Sequence, residues 1–250
     1  MVSREEADNY VPWQKATIEL IAPQTARVKS IVLRPGQWRS FRAGQHLEIR
    51  LTAPDGYVAQ RSYSVASSPL AEGVYELVVE RLEDGEVSPY LLDVAQPGDA
   101  VEIRGPFGGH FVWGEEDGGP LLLLGGGSGV APLMSIVRHR AASRTDVSTC
   151  LVHAARSWDD VLFRDELIAL DEADTKFNLL LSLSRDTARR SKDASRRIDA
   201  EIVREALSGL GNQPRLTFVC GANPFVEVIT SHLIDLGVGQ RSIRTERFGG

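Results

Sequence analysis

The sequence predicts two domains, an antiparallel six-stranded β-barrel followed by an α/β domain built on a parallel sheet. Its 250 residues suffice for two ordinary domains, each with its own core. The first half alternates short apolar runs with turn residues, whereas the second half alternates apolar runs with helical stretches. The polar, breaker-rich stretch 115–120 separates the two patterns, so we place the domains at 1–116 and 117–250.

Composition excludes several classes of protein. The 42% hydrophobic and 25% charged content is typical of soluble globular chains, and the net charge of -6 argues against nucleic-acid binding. No apolar run is long enough to cross a bilayer, and residues 1–6 lack the apolar core of a signal peptide, so we expect a cytoplasmic protein without membrane association. Cys150 and Cys220 lie in apolar runs and are expected to be buried thiols. Two cysteines are too few for an iron–sulfur cluster or a thiolate zinc site, and we expect no metal.

The barrel is predicted from short strands separated by glycine- and proline-containing turns. Several strands at this spacing, with little helical periodicity, favour an antiparallel barrel or sandwich, and six strands suit a small closed barrel. The predicted strands cover residues 13–21, 28–33, 46–52, 61–66, 75–82 and 100–103.

The fourth predicted strand carries side chains suited to a flat, phosphorylated ligand. Arg61, Ser62, Tyr63 and Ser64 set a guanidinium, an aromatic face and two hydroxyls along one extended segment. A guanidinium clamps phosphate, an aromatic ring covers a ring system, and hydroxyls reach ring heteroatoms. The alternative is an ordinary strand with a polar face and an ion-paired arginine.

A second candidate anion site follows the fifth strand. The turn 84–88 leads into a short predicted helix with proline in its first turn. Gly85 permits close backbone approach, and Val87 and Ser88 would present amides and a hydroxyl at the helix N-terminus, where an anion is favoured. The alternative is a capped helix in which Ser88 satisfies its own backbone. If the strands are neighbours, one ligand would share its phosphates between this turn and Arg61.

The second half begins with a buried strand, a glycine turn and a helix. The apolar strand 121–124 leads into Gly127, Ser128 and Gly129, and a helix is predicted over 132–142. This arrangement binds pyrophosphate, because glycines let the backbone approach and the helix N-terminus faces the charge. Pro132 stands where the usual dinucleotide fingerprint has a third glycine or alanine, so the turn is a variant of that device.

Strand and helix patterns then alternate, which predicts a parallel sheet with helices on both faces. Ligands bind at the carboxyl ends of such strands. Three further strands are predicted over 148–154, 177–183 and 216–220, and the helices over 163–171, 199–207 and 224–236. The strand ends carry Arg156, Ser184, Arg185, Cys220 and Gly221.

The stretch 185–197 is rich in cations within an otherwise acidic chain. A solvated connecting loop is the default interpretation of such a charge run. Because the run begins at a ligand-facing strand end, a 2'-phosphate on a nicotinamide cofactor or an acidic partner protein is the functional alternative. Its cations are Arg185, Arg189, Arg190, Lys192, Arg196 and Arg197.

Taken together, these motifs resemble the ferredoxin–NADP reductase superfamily over nearly the whole chain. Residues 61–64 are similar to the family's flavin-binding Arg-x-Tyr-Ser motif, 85–88 to its second flavin-phosphate segment, and 125–132 to its nicotinamide-dinucleotide turn. Ser184 and Arg185 resemble the pair that meets the 2'-phosphate in NADPH-using members.

The end of the chain adds two further points of resemblance. Cys220 and Gly221 resemble the segment beside the nicotinamide. Glu246 and Phe248 resemble the family's terminal acidic residue and aromatic, although residues 249–250 extend the chain beyond the aromatic, unlike plant-type members.

The resemblance implies an FAD-binding barrel and an NAD(P)-binding α/β domain, with hydride passing between the cofactors at the cleft. It implies that Arg61 and Ser88 hold flavin phosphates, Tyr63 packs on the flavin ring, and Ser64 bonds near its reactive nitrogen. The expected catalytic residues are Ser64, Cys220, Glu246 and Phe248, the last acting as a movable cover of the flavin. The expected cofactor contacts are Arg61, Ser62, Tyr63, Ser64, Val79, Gly85, Val87, Ser88, Gly127, Ser128, Gly129, Pro132, Arg156, Ser184, Arg185, Arg197, Cys220, Gly221 and Phe248.

The same resemblance implies the electron path. FAD is preferred to FMN on family grounds, and NADPH is preferred to NADH because of Arg185 and its basic neighbours. The expected protein is a stand-alone, monomeric reductase without a fused ferredoxin domain, which passes electrons to a separate ferredoxin, flavodoxin or oxygenase component. Two alternatives stay open: a reductase of free flavin or a small substrate, and a flavin-bearing wiring subunit of a larger complex.

Overall fold

The computed structural model describes residues 11–248. Residues 1–6 and 249–250, which entered the sequence-based expectations, lie outside the described residues. Within the described chain, no helix combines the length and apolar character that a bilayer crossing requires.

The first half is an antiparallel barrel, as predicted. Its sheet has the strand order β4-β3-β6-β1-β2-β5. Val65, just after β4, forms an antiparallel bridge with Leu77 of β5, and this bridge joins the two edges of the sheet. The strands are β1 (Gln14–Pro23), β2 (Val28–Pro35), β3 (His46–Thr52), β4 (Val58–Ser64), β5 (Tyr75–Glu80) and β6 (Ala100–Phe107).

Alternation along β5 assigns its side chains to two different cores. Tyr75, Leu77 and Val79 point into the barrel and are fully buried there. Val78 faces the opposite way and belongs to a core cluster of the second half. A helical segment, Val87–Pro89 followed by the wider turn Tyr90–Val94, lies between β5 and β6.

The second half is a five-stranded parallel sheet flanked by helices, also as predicted. Its strand order is β11-β10-β7-β8-β9. One core cluster takes side chains from α1 and α2 and another takes side chains from α3 and α4, so both faces of the sheet are covered. The elements are β7 (Leu121–Gly126), α1 (Val130–Ala142), β8 (Thr149–Ala155), α2 (Arg164–Ala173), β9 (Phe177–Leu183), α3 (Ala200–Gly209), β10 (Leu216–Ala222), α4 (Asn223–Asp235) and β11 (Ile243–Phe248).

Two of the differences in element bounds, and one strand absent from the sequence-based prediction, have a clear physical reason. β4 spans Val58–Ser64 rather than 61–66, because its pairing with β3 continues outward from the turn at 54–56. Helix α1 begins at Val130, two residues before the predicted start, since proline is well tolerated within a first helical turn. Strand β11 has no counterpart among the predicted strands. It pairs with β10 alone, and its mostly polar side chains give no apolar run.

The two halves share polar contacts as well as apolar packing. Ser135 of α1 donates a hydrogen bond from Oγ to the carbonyl of Ser67, 2.7 Å away. Arg138, one turn later, donates to the carbonyl of Ala66 at 3.0 Å and to Oε2 of Glu76 at 2.6 Å. Helix α1 is thereby fixed against the end of the barrel.

Candidate functional site

The end of the barrel that faces the parallel sheet carries a serine and a histidine side by side. His46 begins β3 and is the register partner of Ser64, the last residue of β4. Ser64 is buried, whereas His46 keeps about a quarter of its side chain exposed, 27%. Burial lowers the pKa of His46, with the Glu48 carboxylate opposing that shift.

Glu246 reaches this pair from the sheet. Strand β11 carries it to the carboxyl edge, where its Oε1 lies 3.9 Å from Nδ1 of His46. Its other carboxylate oxygen, Oε2, is buried and has no hydrogen-bond partner among the described residues. Burial raises the pKa of Glu246 to about 7. A buried carboxyl oxygen without a partner fits a site completed by a ligand.

Cys220 lies beside Glu246 at the same sheet edge. It pairs in register with Gly125 of β7 on one side and with Glu246 of β11 on the other. The thiol is fully buried, and this burial, together with the Glu246 carboxylate, raises its pKa well above the ordinary value. Cys220 is therefore a neutral thiol and not an activated nucleophile.

The glycine turn between β7 and α1 packs tightly on one side and is open on the other. A Cβ on Gly129 would lie 2.4 Å from the carbonyl oxygen of Cys220, so only glycine lets the turn approach β10 so closely. Gly127 has a φ of +55°, and a Cβ there would meet nothing within 4 Å. The open side, at the start of α1, fits the phosphates of a dinucleotide.

Two further predicted contacts lie beside the glycine turn. Pro132 occupies the first turn of α1, where its missing N–H costs no helical hydrogen bond. Gly221 follows Cys220 at the end of β10 and is buried, with the ring of Phe225 against it.

Arg61 and the turn 84–88 are brought together, which the sequence left open. Arg61 is exposed on β4, and its Nη2 lies 3.7 Å from Oε2 of Glu86. The hydroxyl of Tyr57 donates to Oε1 of the same Glu86 at 2.6 Å. The candidate phosphate-binding arginine and the second candidate anion site are therefore neighbours.

Ser88 closes the turn that precedes its helix, although it does not cap the helix as the alternative interpretation expected. Its Oγ accepts a hydrogen bond from the amide of Leu82 at 3.1 Å. A Cβ on Gly85 would stand 3.0 Å from this hydroxyl oxygen, so a larger residue would crowd the turn. Because the oxygen accepts, the hydroxyl hydrogen is left to donate to an anion.

Tyr63 and Ser62 remain accessible on β4, whereas two predicted contacts do not. Tyr63 is partly buried against the barrel core, and burial raises its pKa to about 12, so the phenol is neutral. Ser62 is exposed. Val79 and Val87 are fully buried inside the barrel. Their side chains face the barrel core, so a cofactor contact at these positions would come from the backbone, as expected for the Val87 amide.

The carboxyl ends of β8 and β9 are joined beyond the strands. The Arg185 amide donates to the carbonyl of Arg156 at 2.8 Å, and the Ser184 amide donates to the carbonyl of Ala155 at 3.0 Å. Arg156 and Arg185 are both exposed. Two cations thus flank the sheet edge at which a dinucleotide would lie.

Some cations of the basic run 185–197 are held by carboxylates or a ring, whereas others are exposed and could bind a ligand. Arg190 and Lys192 pair with Asp171, and Arg196 pairs with Asp199 and Glu201. Arg189 lies over the ring of Trp158, 4.9 Å from its centroid. Within residues 11–248, Arg185 and Arg197 form no ion pair and remain exposed.

Phe248 ends β11 as the register partner of Ala222 and packs against the core cluster that contains Cys220. Sequence reasoning missed His46 and Glu80 as members of this region. Counting outward from the turn at 54–56 pairs His46 with Ser64, so a signal for His46 existed. For Glu80, which accepts a hydrogen bond from Ser128 across the two halves, the sequence holds no local signal.

Comparisons with known proteins agree with this arrangement. The oxidoreductase FAD-binding domain family matches residues 16–113, and the oxidoreductase NAD-binding domain family matches residues 123–231. Ferredoxin--NADP reductase B of Sorangium cellulosum is 30% identical over 215 residues, 83% of this chain and 85% of that protein. The solved ferredoxin NADP+ reductase of Neisseria gonorrhoeae, with bound FAD and NADP, has the same fold, with a TM-score of 0.78 and 24% identity over 94% of this chain and 98% of that chain.

Other relatives are longer than this chain. The glycine betaine monooxygenase reductase subunit of Chromohalobacter salexigens is 30% identical over 210 residues, 84% of this chain and 56% of that protein. The chain likewise spans 56% of a flavohemoprotein from Oceanobacillus iheyensis, at 26% identity over 234 residues and 90% of this chain. The tandem domain families and the Sorangium relative show that the chain belongs to the ferredoxin–NADP reductase superfamily.

Proposed function

We propose that the protein is an FAD-dependent NAD(P)H oxidoreductase that passes electrons from NADPH to a separate one-electron carrier protein. One observation carries this proposal: Glu246 of the sheet stands 3.9 Å from His46 of the barrel, beside Ser64. The candidate flavin-binding end of the barrel thus lies against the carboxyl edge of the parallel sheet, where a dinucleotide would bind. A bound flavin would supply the redox chemistry, accepting two electrons from a reduced nicotinamide and releasing them singly.

The barrel residues bind and orient the flavin. Arg61 and the turn at Gly85 and Ser88 hold its phosphates, as their proximity supports. Tyr63 covers the ring system with its neutral phenol, and Ser62 stays accessible beside it. Ser64 offers its hydroxyl at the reacting end.

Glu246 holds or moves a proton at Oε2. With a pKa of about 7, both its protonated and its ionised form are populated near neutral pH. His46, whose Nδ1 faces the other oxygen of the carboxyl group, positions Glu246 and connects it towards solvent.

The sheet residues bind the nicotinamide dinucleotide. Gly127, Ser128 and Gly129 cradle its pyrophosphate, with Pro132 setting the first helical turn. Arg156, Ser184, Arg185 and Arg197 form the site for a 2'-phosphate, which favours NADPH over NADH.

The nicotinamide end of the site is closed by Cys220, Gly221 and Phe248. Since Cys220 has no exposed surface, a nicotinamide reaches it only when neighbouring side chains shift. Phe248 is our candidate for that movement, because it packs against the cluster that contains Cys220.

We propose a monomeric reductase with its halves divided at 116/117 and an oxygenase component, ferredoxin or flavodoxin as acceptor. Similarity to the reductase subunit of a monooxygenase supports the oxygenase component. Exposed cations at the sheet edge would steer an acidic carrier, an effect that weakens with salt.

The test is an anaerobic titration of the flavin-loaded protein with NADPH and separately with NADH, following the flavin absorbance. Rapid bleaching by NADPH at lower concentrations than by NADH is the expected result. Bleaching by neither nucleotide would contradict the reductase and favour a wiring subunit. Fast turnover with free flavin and none with any carrier protein would favour the free-flavin alternative.

A further inference from the structure

One face of β5 lies against the parallel-sheet half at three successive positions. Glu76, Val78 and Glu80 alternate along the strand and therefore point to the same side. Val78 enters the core of the second half, Glu76 accepts from Arg138 at 2.6 Å, and Glu80 accepts from Oγ of Ser128 at 2.7 Å. The barrel thus places a carboxylate directly on the glycine turn.

The two carboxylates on this face differ in how their charge is compensated. Glu76 is paired with the guanidinium of Arg138. Glu80 forms no ion pair within residues 11–248, and a hydroxyl is the donor it meets. That hydroxyl belongs to Ser128, in the turn just before α1 begins at Val130, where the positive end of the helix dipole favours an anion.

We infer that Glu80 is a built-in competitor of the dinucleotide pyrophosphate, and that it sets the affinity of the glycine turn for the nicotinamide cofactor. This inference rests on the proposed function, which assigns the pyrophosphate to Gly127, Ser128 and Gly129. The carboxylate now engages the Ser128 hydroxyl, which must release Glu80 before it can donate to a phosphate. The Glu80 carboxylate would repel a pyrophosphate bound at the same hydroxyl, since both are negatively charged. Glu80 therefore weakens nucleotide binding and speeds release of the oxidised nucleotide.

The inference is tested by calorimetric titration of the oxidised, flavin-loaded protein with NADP+, which measures binding without turnover. Glu80→Gln keeps the size and a hydrogen-bond acceptor but removes the charge. We expect the Kd for NADP+ to fall about five- to tenfold at low ionic strength. The gain should shrink at an ionic strength of about 0.5 M, because salt screens a partly exposed charge.

Glu83→Gln is the matched control. Glu83 is an exposed carboxylate three residues further along the chain, paired with Arg27 and Arg81. Its neutralisation should change the Kd less than about twofold at the same salt concentration, because an exposed, paired charge is largely screened. A Glu80→Ala variant, which removes charge and acceptor together, should also bind NADP+ more tightly than the wild type.

The outcomes separate the two ideas. If the wild type binds NADP+ and Glu80→Gln binds it equally or more weakly, Glu80 does not compete and the inference is overturned. An equal decrease in the Kd for NADP+ caused by Glu83→Gln would also overturn the inference, since the effect would then come from the change in net charge and not from the position of Glu80. If neither the wild type nor any variant binds NADP+, the proposed function itself is contradicted.

Discussion

Cys220 and Glu246 are register partners on the parallel strands β10 and β11, so a neutral thiol and a carboxyl group stand side by side at the sheet edge. Burial and the Glu246 carboxylate raise the pKa of the Cys220 thiol, whereas burial alone raises the pKa of Glu246 to about 7. The thiol stays uncharged near neutral pH, while the carboxyl titrates there. Of these two register partners, Glu246 is therefore the one whose charge changes near neutral pH.

Glu246→Gln should remove a pH-dependent loss of stability. The pKa of Glu246 in the folded protein, about 7, lies above the 4.5 of an unperturbed glutamate, so Glu246 favours the folded state at low pH and loses that contribution as pH rises towards 7. Between pH 5 and pH 8 the free energy of unfolding of the wild type should fall by about 2 kcal/mol relative to the variant. Urea unfolding of both flavin-free proteins measures this, and parallel pH profiles would show that Glu246 titrates normally.

Arg61→Ala should yield protein that loses its flavin on purification. Removing charge-assisted hydrogen bonds to a phosphate costs about 1.5–3 kcal/mol, or about 10- to 100-fold in the flavin Kd. The ratio of flavin to protein absorbance reports the loss. Arg34→Ala is the control, since Arg34 is an exposed arginine of the same barrel that pairs with Glu19. A fully flavin-loaded Arg61→Ala protein would refute the assignment.

Arg185→Ala should raise the KM for NADPH about 10- to 100-fold and leave the KM for NADH within about twofold, because only NADPH carries the 2'-phosphate. Arg190→Ala is the matched control within the same run. Arg190 is held by Asp171 and Asp193, so its loss should lower stability without changing the preference between nucleotides. Steady-state kinetics with both nucleotides measure these KM values. Equal increases in both for Arg185→Ala would contradict the 2'-phosphate assignment and favour the interpretation of this segment as a solvated loop.

Gly129→Ala should destabilise the protein by more than about 2 kcal/mol, because an added Cβ would overlap the backbone of β10. Its Cβ would stand 2.4 Å from the Cys220 carbonyl oxygen and 2.8 Å from Cα of Gly221. Gly239→Ala, where a Cβ would meet nothing within 4 Å, should stay within about 0.5 kcal/mol of the wild type. The urea unfolding midpoints of the two variants measure this difference. Similar midpoints would show that the turn accommodates a Cβ at position 129 with little loss of stability.

The fold was predictable because its signals are local. The change from short alternating runs to strand–helix units around residues 115–120 is visible in the sequence and corresponds to the change from barrel to parallel sheet. Strand β11 was not predicted, because this edge strand carries Arg244, Thr245 and Arg247 and lacks the apolar run on which strand prediction depends.

The candidate site was only partly predictable, for the same reason. Local sequence motifs predict Arg61 and the glycine turn, whereas the contact between His46 and Glu246 joins residues 200 positions apart. Counting cations in the basic run did not reveal that Arg190 is committed to Asp171. Partners distant in sequence decide which charges are free, and a local pattern does not contain them.

Val78 belongs to the barrel by its strand and to the parallel sheet by its packing, together with Val28 and Ala66. A chimera that exchanged the barrel for that of a relative would have to keep these three side chains and the other members of the cluster from this half, Ala43, Phe111 and Trp113, together with Glu76, the partner of Arg138. Without them the interface would leave apolar surface in water, and Arg138 would lose one of its two carboxylate partners, keeping only its pair with Glu166 of α2. The interface between the halves therefore depends on side chains of both, and exchanging the barrel without these residues would disrupt it.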